Sequence, residues 1–193
     1  MDGIYTIQNS PVICVNIVLV STETGVGNVL KVVQEHQSDR RNVVIKITSE
    51  ISIPDEPHID AILEFQQGSK PYPELKRFLR LYKENVEKRS LLCYDFRDFF
   101  MLIRGRNVIS IVSYEYRENI TEALDQLKSV KTHEGVRYLL YFSVDKCDND
   151  EIGNRQASIR DFMDAFPCEN ITYWNIGESS SQIVALFASI PIE

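Results

Sequence analysis

Two places in the chain hold residues whose types and spacing suit chemistry. Asp95 and Asp98 stand three apart in Cys93-Tyr94-Asp95-Phe96-Arg97-Asp98. On the first turn of a helix that spacing turns two carboxylates the same way. Such groups can polarise an attacking water or help to hold a cation. The same aspartates also suit a plain helix start, where they meet unpaired N–H groups and the positive end of the dipole. The second place is Ser21-Thr22-Glu23-Thr24-Gly25-Val26-Gly27. Its glycines would let backbone N–H groups approach an anion closely. Glu23 works against that, because a carboxylate opposes a bound phosphate unless a cation sits between them. An ordinary strand-to-helix turn has the same composition.

The elements that must position these residues follow from pattern. Residues 12–20 are rich in β-branched side chains and read as a buried strand. Residues 21–28 read as a polar loop, and Val29, Leu30, Val32, Val33 and His36 suit a short helix after it. Residues 42–48, NVVIKIT, read as a second strand, which completes a βαβ unit with a parallel pair. Pro54 and Pro57 end that unit, and residues 59–65 suit a short helix or a strand equally. After a connector, Leu75, Phe78, Leu79, Tyr82 and Val86 form one apolar stripe on a long helix.

A regular alternation comes next. Residues 96–103 read as a helix closed by Gly105, and 108–114 as a strand. Asn119 can cap a helix running to Val130, with Ile120, Ala123, Leu124 and Leu127 inward. Residues 136–144 are nearly all apolar and read as a central strand. A helix over 151–166 precedes strands at 171–176 and 182–190, joined by a turn that suits a hairpin.

Composition narrows the function classes. The chain has 193 residues, 21 basic against 28 acidic, for a net charge of −7. Phosphate repels such a chain, so nucleic acid is not an expected partner. The apolar run at 11–20 has strand length, not membrane length, so no membrane insertion is expected. Cys14, Cys93, Cys147 and Cys168 are widely spaced, and His36, His58 and His133 are not at ligand spacing. That pattern suits reduced thiols in a cytoplasmic protein with no metal site.

The element order after residue 93, together with Cys93-Tyr94-Asp95-Phe96-Arg97-Asp98, resembles the second domain of the FtsZ/tubulin family. That family enters the domain through Asn-x-Asp-Phe-x-Asp, after a long helix and directly before another. The resemblance implies an α/β chain in three parts. Residues 1–68 would be a partial Rossmann-like βαβ remnant and 69–92 a long connecting helix. Residues 93–193 would be an FtsZ/tubulin-like C-terminal domain, an α+β layer with a four-stranded mixed sheet and helices. It makes Asp95 and Asp98 candidate catalytic acids against GTP held by the next subunit. It matches Thr24, Gly25 and Gly27 to the family's Gly-Gly-Gly-Thr-Gly-(Thr/Ser)-Gly loop as nucleotide-binding candidates. The departures are Cys93 in place of asparagine, the three missing leading glycines, and Glu23. About 90 residues precede Cys93, too few for the family's opening nucleotide-binding segments. The expected protein is therefore a shortened, divergent relative that binds itself or another protein, with no cofactor. GTP and Mg2+ enter only if it is a GTPase. An unrelated small α/β protein is the remaining alternative.

Overall fold

The computed structural model describes residues 3–10, 13–35, 40–48, 50–66, 70–87, 96–117, 119–130, 133–144, 149–167, 171–178 and 182–192. Two compact units are present, and the boundary between them falls inside one strand, after Ser110.

The first unit contains β1 (Gly3–Ser10), β2 (Ile13–Val20), α1 (Glu23–Glu35), β3 (Arg40–Lys46), β4 (Ala61–Phe65), α2 (Pro71–Glu87) and α3 (Phe96–Ile103). The first half of β5 (Gly105–Glu115) closes it. Its strands run in the order β1-β2-β3-β4-β5. β1 is antiparallel to β2, whereas β2 to β5 are parallel neighbours. The expected βαβ unit is thus β2-α1-β3. The stretch that suited helix or strand equally is a strand, β4, and β1 adds a strand that pattern did not show.

Paired positions of neighbouring strands share a face. The row Val18–Val44–Ile62 therefore faces one way, and Val26, Val29 and Val33 of α1 pack onto it with Ile51 and Ile53. The spacing of those three valines gives α1 a single apolar stripe. Polar rows flank this apolar one. Toward the strand starts, Asn16 Nδ2 donates to Asn42 Oδ1 at 2.9 Å, and Asn42 Nδ2 donates to the His58 carbonyl at 2.9 Å. Asp60 fixes the start of β4: its carboxylate accepts from the Asn42 N–H at 2.8 Å and from Arg41 at 2.7 Å. The Gly105 N–H donates to the Asp60 carbonyl at 3.0 Å.

Leu75 and Phe78 of α2 are buried, and Phe78 meets Phe99 of α3 at 5.9 Å between ring centroids. The side chains of Tyr82 and Val86, farther along the expected stripe, lie outside those described. α3 ends where the sequence places its end. Gly105 has φ 85°, which glycine adopts without a Cβ clash. Asn107 Nδ2 then donates to the carbonyls of Ile103, Arg104 and Gly105 at 2.7, 3.1 and 3.2 Å, covering the open end of the helix.

The second unit contains the rest of β5, α4 (Ile120–Leu127), β6 (Arg137–Val144), α5 (Asn149–Ala165), β7 (Ile171–Glu178) and most of β8 (Ile183–Pro191). Its strand order is β5-β8-β6-β7, with β6 parallel to β7 and antiparallel to β8. This is the four-stranded mixed sheet that the sequence led us to expect. Asn119 caps α4 by accepting from the Thr121 N–H at 2.9 Å, and Ile120, Ala123, Leu124 and Leu127 are buried. The suggested hairpin does not form, because β6 lies between β7 and β8. Tyr138 to Phe142 of β6 are all buried, so that strand is screened on both faces and takes a partner along each edge.

Candidate functional site

The carboxyl ends of parallel strands are where open α/β sheets place ligands. In the first unit this edge holds the end of β2, the start of α1 and the ends of β3 and β4. The helix begins earlier than the sequence suggests. Only Ser21 and Thr22 separate β2 from α1, so Thr24, Gly25 and Gly27 lie in the first turns of a helix and not on a loop. Thr22 explains the difference. Its Oγ1 accepts from the Gly25 N–H at 3.1 Å, and its carbonyl accepts from the Val26 N–H at 3.3 Å. A capping threonine followed by an acidic first-turn residue outweighs two glycines as a helix signal.

The consequence for anion binding is direct. A glycine cradle works by offering free N–H groups, and the one at Gly25 is engaged by Thr22. Glu23 and Thr24 are exposed on the first turn, which places a carboxylate at the positive end of the helix. Gly27 is exposed too, and a Cβ built on it would meet nothing within 4 Å. No close approach of another group therefore requires glycine there.

Sequence reading passed over two residues at the same edge. Register pairs Val20 with Lys46 and Lys46 with Glu64, on the face that carries α1. Lys46 Nζ and Glu64 Oε1 are 2.6 Å apart, with side chains 9% and 24% exposed. A lysine this buried is held by its carboxylate, so an incoming phosphate would have to displace Glu64. The one sequence signal was a lysine inside the β-branched run NVVIKIT.

Of the two candidate acids, Asp95 lies outside the described residues. Asp98 stands on the first turn of α3, and its side chain lies outside those described. Cys93 also falls outside. Among the described residues, no three His, Cys, Asp or Glu side chains gather as a metal site would require. Among them, too, no helix is long and apolar enough to cross a membrane.

No family model and no curated relative matches the sequence. Solved structures do match the fold. CetZ2 from Haloferax volcanii, solved as a GTPγS-bound protofilament, aligns with a TM-score of 0.57 at 12% identity, over 92% of this chain and 64% of that one. The TubZ protein of type III plasmid segregation aligns with a TM-score of 0.51 at 12% identity, over 90% of this chain and 62% of that one. The GTPγS-form protofilament of TubZ from Bacillus thuringiensis serovar israelensis gives 0.51 at 10% identity, over 90% and 59%. The chain thus has an FtsZ/tubulin-like α/β fold. It spans less than two thirds of the length of these similar structures.

Proposed function

We propose that this chain is a shortened, divergent FtsZ/tubulin-like protein that acts by associating with itself or with another protein, and that it is not a competent GTPase. The second unit stands for the family's C-terminal domain in this reading, and the first for what remains of its nucleotide-binding half. The observation that carries it is the start of α1 at Glu23. The segment matching the family's glycine loop is helical, its Gly25 N–H is engaged by Thr22, and a carboxylate occupies the turn that would face phosphate. Lys46, the buried cation at that edge, is already matched by Glu64. Association is supported by likeness to proteins solved as protofilaments. Nucleic acid and membrane insertion have no part in the proposal, and its setting is cytoplasmic. Sedimentation of the full chain with and without GTP tests it. Concentration-dependent association that GTP leaves unchanged is expected. A strict monomer at high concentration, inert toward candidate partners, overturns it.

A second reading is favoured by the GTPγS-bound state of the CetZ2 structure. Here the chain is an assembly-dependent GTPase. Asp95 and Asp98 supply the activating acids across a subunit interface, and Thr24, Gly25 and Gly27 lie near the phosphates of GTP with Mg2+. Calorimetric titration with GTP and magnesium separates the two readings. Binding heat supports the second, and its absence at millimolar nucleotide removes it.

A further inference from the structure

β1 is the terminal strand of the first unit's sheet. Among the described residues it pairs with β2 along one edge, and no strand lines the other. A bare strand edge offers a row of backbone N–H and C=O groups to any second chain. Proteins usually blunt such edges with charge, proline, a bulge or short length. β1 reads GIYTIQNS, eight residues with no charge and no proline. Its register with β2 is regular from Gly3 to Gln8, and the irregularity is confined to the step between Gln8 and Ser10. By contrast β7, the terminal strand of the second unit, ends on Glu178.

We infer that the free edge of β1 is a self-association edge, on which a second copy of this chain lays its own β1 antiparallel about a two-fold axis. The inference rests on the self-association reading above and adds the surface that serves it. A two-fold pairing sets each strand against itself in reverse, so a charge near the axis would face its own kind. β1 carries none, although the chain as a whole has a net charge of −7. An uncharged strand also gives an acidic or basic peptide nothing to hold. A copy of itself is the partner its chemistry suits, with main-chain hydrogen bonds supplying the attachment.

Sedimentation velocity of the full chain across a concentration series tests this, with Thr6→Pro and Ile7→Pro examined separately. N–H groups of adjacent strand residues point to opposite edges, so one proline removes a bond to β2 and the other removes a donor from the free edge. The expected result is a dimer in the parent chain. The proline variant that keeps the parent's melting temperature should dimerise at least tenfold more weakly. Should both prolines cost the fold, hydrogen exchange decides: β1 amides that gain protection as the parent chain dimerises support the edge, and unchanged protection overturns it. A dimer that survives in a folded proline variant of each kind overturns the edge and leaves self-association standing. A monomer at every concentration overturns both.

Discussion

The two units treat polarity inside their sheets in opposite ways. In the first, polar rows flank an apolar one: Asn16–Asn42 toward the strand starts, Val18–Val44–Ile62 in the middle, and Lys46–Glu64 at the strand ends. In the second, Tyr138 to Phe142 of β6 and Ile183 to Ala188 of β8 are buried without a charged residue among them. The difference concerns how a strand finds its register. A strand that is apolar on both faces can slip by one place and still bury apolar groups, so pattern alone specifies its pairing weakly. The first unit adds pairs that meet in only one register. The second relies on shape, with Tyr138, Phe162 and Phe166 interlocked at ring-centroid distances of 5.2 and 5.6 Å.

Shape-dependent packing should be the more costly to damage. Leu140 is fully buried in β6, and Leu140→Ala is expected to destabilise the protein by about 2–5 kcal/mol in a denaturant titration, the range for a cavity that neighbours cannot close. A loss well below that would mean the second unit repacks freely. Next comes the amide pair. Asn42→Leu removes the bond from Asn16 Nδ2 and the bond to the His58 carbonyl, for a loss of about 1–3 kcal/mol. Changing Asn16 to leucine as well should recover part of that loss, since a buried amide no longer faces a leucine in the row. If the double variant is no better than the single one, the pair does not specify register in the way described. At the other end of the strands, Lys46→Met should cost less, about 1 kcal/mol, because the Glu64 side chain is 24% exposed and can regain water. The smallest effect runs the other way. Gly27 sits in α1 with open space around it, so Gly27→Ala should stabilise by about 0.5–1 kcal/mol, read as a higher melting temperature. Destabilisation would return Gly27 to the role of a required glycine.

What could be read from sequence was local. Ile120, Ala123, Leu124 and Leu127 fall at helical spacing behind a capping asparagine, so the inward face of α4 was legible before any fold was known. Gly105 was legible as the end of α3 for the same reason, since a positive φ after a helix selects glycine. The start of α1 differs from the sequence expectation because Thr22 caps the helix ahead of the two glycines, and that capping bond is also local. The place of β8 could not have been. It depends on the need of β6 for a partner on each side, and nothing in the turn between β7 and β8 carries that information. Lys46 and Glu64 were hidden likewise: they are 18 residues apart in sequence, and only the β3–β4 register joins them. Asp98 was placed on the first turn of a helix by its sequence context, and the structure has it there.

Asp60 has a further consequence. It ties the start of β4 to β3 through Asn42 and Arg41, and to β5 through Gly105. Upstream, Ile51 and Ile53 are embedded in the core, and Arg106 donates to the Ile53 carbonyl at 2.9 Å. Between these moorings Pro54, Asp55 and Pro57 are exposed. The segment is thus fastened on both sides and exposed in the middle. A cut, a graft or a relocated pair of chain termini placed at Asp55 would leave the sheet's own fastenings in place. For an engineer this is the natural point at which to split the protein into complementing halves or to display a foreign loop.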